Sequence, residues 1–86
     1  MKKEFRVIAD LLPVNVSVLD VGCGDGSLMY HLIKEKNIKA RGLELEKENV
    51  QKCIYKGLPV IEGNAETELH QFPDQSFDYV VLSQTL

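Results

Sequence analysis

Apolar positions change their spacing several times along the chain, and each change marks an element. Phe5, Ile8, Leu11 and Leu12 recur at helical intervals until Pro13, which predicts a short amphipathic helix over residues 3–12. Val16, Val18, Leu19 and Val21 then form a mostly β-branched run ending at Gly22, the pattern of a strand buried on both faces. Beyond a cluster of glycines, Leu28, Met29, Leu32 and Ile33 return at helical spacing up to the polar stretch 34–37. The alternation then repeats. Ala40–Leu45 is a second strand; Val50, Cys53 and Ile54 line one face of a helix closed by Gly57 and Pro59. Leu58–Ile61 is a short third strand and Ala65–His70 a turn or two of helix. Phe77–Leu82 is a fourth strand, introduced by the turn residues Pro73, Asp74, Gln75 and Ser76.

Strands alternating with helices require right-handed crossovers and a parallel sheet with helices on both faces. The expected fold is therefore α/β: a three-layer, doubly wound, Rossmann-like parallel sheet with strand order 3-2-1-4. Such a sheet has a bare edge beside its fourth strand. The 86 residues thus read as one domain truncated after that strand, the N-terminal half of a longer fold, unless another chain covers the edge.

Composition narrows the partners. An apolar share of 44% and a charged share of 27% suit a soluble globular domain. No segment reaches the roughly 18–20 apolar residues that span a bilayer, and the first residues lack a signal peptide's apolar centre, so a cytoplasmic protein is expected and a membrane is not. The net charge of -3, without a basic stripe, argues against nucleic acid. Cys23 and Cys53 have no Cys or His at zinc spacing, so they read as free thiols, and no metal is expected. His31 and His70 read as surface or boundary residues.

The candidate chemistry lies in VLDVGCGDGSL, residues 18–28. Glycines between a strand and a helix let a ligand approach the main chain, and the helix start, near Gly26, turns amide groups and a positive dipole end toward it. A dinucleotide fingerprint would need its third glycine at position 27, where Ser27 stands. Asp20, at the end of strand one, would repel a pyrophosphate and suits a positive amine. Glu44, at the end of strand two, can accept hydrogen bonds from both hydroxyls of a ribose. Asn64 and Ala65 can offer a side-chain amide and a backbone N–H to an adenine edge. An amine, a carboxylate, a ribose and an adenine together describe S-adenosylmethionine.

Other residues receive plainer readings. Asp25 and Ser27 are better placed than Asp20 to cap the following helix. Cys23 fills the turn, since no histidine or second cysteine stands where it could activate the thiol. Cys53 belongs to a buried helix face, Met29 to the core, Tyr30 to the rim; Glu46 and Glu48 are solvated. Ser83, Gln84 and Thr85 emerge at the carboxyl end of strand four, where residues facing a ligand or substrate are expected. No Asn-Pro-Pro-Tyr-like pattern stands there, which argues against methylation of base amino groups.

The run D-x-G-x-G-x-G from Asp20 to Gly26, followed by Glu44, resembles the cofactor site of class I S-adenosylmethionine-dependent methyltransferases. VLDVGCGDGSL, GLELEKENV with Cys53 and Gly57 beyond it, and above all FPDQSFDYVVLSQTL at 72–86 resemble the MetW family of methionine biosynthesis. The resemblance implies that Asp20 binds the methionyl amine and that Gly22 and Gly24 pass close to the methionine portion, with Cys23 and Gly26 in the same loop. It implies further that Glu44 holds the ribose, Leu45 lies against the adenine, Asn64 and Ala65 touch its polar edge, and Ser83 faces the ligand. Methyltransferases often carry aspartate where Asn64 stands, and members of the family are longer. The family supports homoserine acylation in association with homoserine O-acetyltransferase, which implies an accessory subunit. An ordinary small-molecule methyltransferase is the alternative, and a nicotinamide-binding Rossmann domain the remaining one.

Overall fold

The β-branched and leucine-rich runs that end at Val21 and Glu44 become adjacent parallel strands. A computed structural model describes residues 2–72 and 76–83. The turn positions Pro73, Asp74 and Gln75, with Gln84 and Thr85, lie outside the described residues. The elements are α1 (Lys3–Leu11), β1 (Ser17–Val21), α2 (Ser27–Lys36), β2 (Lys39–Glu44), α3 (Lys47–Tyr55), β3 (Val60–Glu62), α4 (Ala65–Glu68) with a 3-10 turn at Leu69–Gln71, and β4 (Tyr79–Leu82). The sheet order is β3-β2-β1-β4 and every pairing is parallel, as the alternation requires.

The topology decides which face each helix covers. From β1 to β2 to β3 the chain moves one way across the sheet, so right-handed crossovers place α2 and α3 on one face; the return to β4 brings α4 to the other. On the first face Phe5, Leu12, Leu28, Met29, Leu32 and Cys53 pack on Val18 and Ala40. On the second, Leu19, Val21 and Leu43 lie beneath Ile61, Ala65, Phe72 and Phe77. At the outer edge Tyr79, Val80 and Leu82 of β4 are exposed.

Two expected core positions are corrected. Leu11 is 78% exposed and Ile54 63% exposed, whereas Phe5, Ala9 and Leu12 of the first helical stretch and Val50 and Cys53 of α3 are buried. Neighbouring helical residues point about 100° apart, and the surface each helix meets selects one of two adjacent apolar positions. The end of α1 also has a partner that local pattern does not announce. Lys36 Nζ donates to the carbonyl oxygens of Ala9 and Leu12, placing a cation at the negative end of the helix.

One glycine inside β2 sets how closely the site is assembled. A Cβ on Gly42 would stand 2.7 Å from Cys23 Sγ and 2.8 Å from Met29 Cε. Only a bare strand lets the loop after β1 and the first turn of α2 press down on it.

Candidate functional site

The glycine loop leaves β1 at Val21 and reaches α2 through Gly22, Gly24 and Gly26, all with positive φ. Its main-chain donors are largely committed within the chain. Gly22 N–H and Cys23 N–H donate to Leu43 O (2.8 and 3.2 Å), and Gly26 N–H donates to Cys23 O (3.1 Å). Gly24 N–H donates to Glu44 Oε1 at 2.8 Å. At the start of α2, Asp25 Oδ1 accepts from Ser27 N–H (3.0 Å) and from the Ser27 hydroxyl (2.6 Å), the capping role read for this pair. At the helix start, the Ser27 amide is therefore already met by an acid of the chain's own.

Acceptors remain instead. Asp20 is fully buried beneath the loop; its Oδ1 accepts from the Ser83 hydroxyl at 2.5 Å, and its Oδ2 has no hydrogen-bond partner among the described residues. Burial pushes its carboxyl up to about 6; the Ser83 hydrogen bond pulls the other way, and the Glu44 charge adds to the rise. Glu44, also buried, accepts from Gly24 N–H with one oxygen and from Glu46 N–H (3.0 Å) with the other, with Asn49 Nδ2 at 3.5 Å. Oε1 keeps a further lone pair, and the second lone pair of Oε2 is met only by the long Asn49 contact. A bare loop with acids at the ends of β1 and β2 thus seeks donors and positive charge.

Gly22, Glu44, Leu45, Asn64 and Ala65 line one cavity of about 350 Å³ at the carboxyl ends of the strands, together with Leu43 and Gly63. Leu45, one residue past β2, is exposed at its rim. Asn64 caps α4, its Oδ1 accepting from Thr67 N–H at 2.9 Å, so the side chain's acceptor is engaged. Asp20, Cys23, Gly24, Gly26 and Ser83 are not among the residues that line that cavity. A larger hollow of about 600 Å³ opens at the amino ends, bounded by Ser17, Arg41, Phe72 and Phe77; among the described residues no acid lines it. Parallel sheets bind ligands at the carboxyl ends, so the smaller cavity is the candidate.

Cys23 corrects the sequence reading in one respect. A second cysteine does stand beside it: Cys53 Sγ lies 4.0 Å from Cys23 Sγ, and Cys53 Sγ is 3.3 Å from Gly24 O. Both thiols are free and buried, turned into the core under the loop. Burial pushes both above the ordinary thiol range, so they pack rather than react. Among the described residues no group of His, Cys, Asp and Glu could hold a metal ion, and no helix is long and apolar enough to cross a membrane.

A parallel sheet of order 3-2-1-4, a glycine loop after its first strand and acids at the ends of the first two are features of the Rossmann-like class I methyltransferase fold. A solved structure described as a SAM dependent methyltransferase from Archaeoglobus fulgidus superposes with a TM-score of 0.76 at 28% identity, over 90% of this chain and 34% of that one. The family described as "Methionine biosynthesis protein MetW" matches residues 2–86, and the chain belongs to that family. The bifunctional methionine biosynthesis protein MetXA/MetW of Rhodopirellula baltica is 32% identical over 92% of this chain and 14% of its own length. The arginine-hydroxylase NDUFAF5 of Rattus norvegicus is 34% identical over 79% of this chain and 20% of its own length. The chain thus spans a small part of these curated relatives and about a third of the solved structure.

Proposed function

We propose that this domain binds S-adenosylmethionine at the glycine loop. The unpartnered Oδ2 of the buried Asp20 carries the reading. A loop in which the N–H groups of Gly22, Cys23, Gly24 and Gly26 already have acceptors, above a carboxylate with one oxygen lacking a donor among the described residues, matches an ammonium group better than a phosphate. Asp20 accepts from the methionyl amine, Glu44 takes the ribose hydroxyls on its remaining lone pairs, and Leu45 packs on the adenine. Asn64 Nδ2 and Ala65 N–H stand at the adenine edge; the main chain at Gly22, Cys23, Gly24 and Gly26 keeps the approach open. When bound, S-adenosylmethionine supplies an electrophilic methyl group on sulfur. The chain's contribution is to fix that group's position, the larger part of the work in methyl transfer. The fraction of each relative that is covered supports reading these residues as the cofactor half of a longer domain, with the acceptor gripped elsewhere.

Calorimetric titration of the full-length protein with S-adenosylmethionine and with NAD tests the reading. Heat from S-adenosylmethionine alone is expected, and heat from NAD alone overturns it.

A second reading rests on the relative that joins MetXA and MetW in one polypeptide. That arrangement supports association of the whole cytoplasmic protein with homoserine O-acetyltransferase, as an accessory subunit in O-acetylhomoserine formation. Co-expression should give co-purification and raised acetylation. Methyl transfer to a small molecule without either effect would favour an ordinary methyltransferase.

A further inference from the structure

We propose that Ser83 is a positioning residue of the cofactor site, whose hydroxyl holds one oxygen of Asp20 so that the other stays presented to the ligand's ammonium group. The inference rests on the S-adenosylmethionine reading and extends it to a residue that acts through another.

Ser83 is placed by the sheet rather than by its own loop. Its N–H donates to Val21 O at 3.1 Å, continuing the ladder in which Asp20 pairs with Val81 and Val21 with Leu82. From that anchored position its Oγ lies 2.5 Å from Asp20 Oδ1 and 3.1 Å from Gly22 O. A hydroxyl has one proton, and the short contact to a carboxylate takes it in preference to the carbonyl. Asp20 is thereby fixed by one oxygen on the β4 side, while Oδ2 has no partner within the described residues. The carboxylate of Glu44, from the end of β2, faces the same group and disfavours its charge; the loop contributes the Cys23 thiol, and β4 contributes the uncharged Ser83. Because the hydrogen bond from Ser83 opposes the effect of burial, its loss leaves Asp20 protonated to higher pH. A protonated Asp20 no longer attracts an ammonium group.

The test compares the wild-type full-length protein with Ser83→Ala and with Ser83→Thr, which keeps the hydroxyl. Calorimetric affinities for S-adenosylmethionine are measured from acid to alkaline pH, beside those for 5′-methylthioadenosine, which lacks the amine and carboxylate. Ser83→Ala should move the midpoint of the pH profile upward by about one unit, so that S-adenosylmethionine binding weakens roughly twofold at pH 7 and approaches tenfold below about pH 5. Methylthioadenosine should bind with unchanged affinity, Ser83→Thr should restore the wild-type profile, and Ser83→Ala should add nothing in an Asp20→Asn background. Equal weakening of both ligands, or an unmoved midpoint, overturns the proposal. If neither ligand binds the wild type, the cofactor reading itself falls, which is a different result. Ser83→Cys, of similar volume and a weak donor, replaces Ser83→Ala if that variant does not fold, with the same expectations.

Discussion

The ends of β1 and β2 each carry a buried carboxylate, and the two are satisfied in opposite ways. Glu44 receives Gly24 N–H on one oxygen and Glu46 N–H on the other, so it ties the glycine loop to the start of α3. Among the described residues Asp20 receives a single hydroxyl, from Ser83, and its second oxygen is buried without a partner. The first acid supports the fold. The second is carried at the fold's expense, as its raised pKa records. A buried acid that lowers stability beneath a glycine loop is a feature that a binding site uses and a core avoids.

The comparison is easiest to break at Glu44. Replacing it with Ala removes the acceptor of two N–H groups, one of them buried, and should lower unfolding free energy by about 3 kcal/mol. Thermal denaturation should show a fall of roughly 15 °C, and an unchanged melting temperature would deny Glu44 its structural role.

Asp20→Asn should act in the opposite direction. The folded protein holds this proton with a pKa of about 6 against 3.8 for the ordinary group, so the charge lowers stability above the folded value. A neutral amide should therefore stabilise the protein by about 2 kcal/mol at pH 7.5 in urea denaturation, while weakening the amine-bearing ligand. Greater stability of the wild type would remove the contrast.

The same shift sharpens the comparison through pH. Because the folded state binds the proton more tightly, wild-type stability relative to Asp20→Asn should rise as pH falls, by about 1 kcal/mol between pH 7 and pH 5. Asp25 is shifted downward, chiefly by its hydrogen bond from the Ser27 hydroxyl, so its contribution is lost only below the ordinary carboxylate range and leaves that window clear. The smallest effect is expected at Asn49, whose Nδ2 stands 3.5 Å from Glu44. Asn49→Ala should change stability by less than about 0.5 kcal/mol, since the main-chain donors hold the carboxylate.

Much of this arrangement is legible along the chain, because β-strand and helix periods are local and the glycine loop is continuous. The four strands, their parallel order and the convergence of Gly22, Glu44, Leu45, Asn64 and Ala65 on one cavity follow from patterns spanning a few residues each. Contacts set by strand pairing are not written locally. Ser83 meets Asp20 across 63 positions of sequence, and Cys53 meets Cys23 across 30. Glu44 binding the loop amide of Gly24 likewise depends on how β2 sits beside β1. At Leu11 and Ile54 the sequence offered adjacent apolar positions, and the surface beneath chose between them.

The pairing of β4 with β1 turns Asp20 into a gauge of alignment. Side chains alternate between faces along a strand, so a slip of one residue would swing Ser83 to the far side and strip the carboxylate of that hydroxyl. Following that proton by carboxyl spectroscopy as the protein refolds would therefore time the moment when the sheet locks into frame.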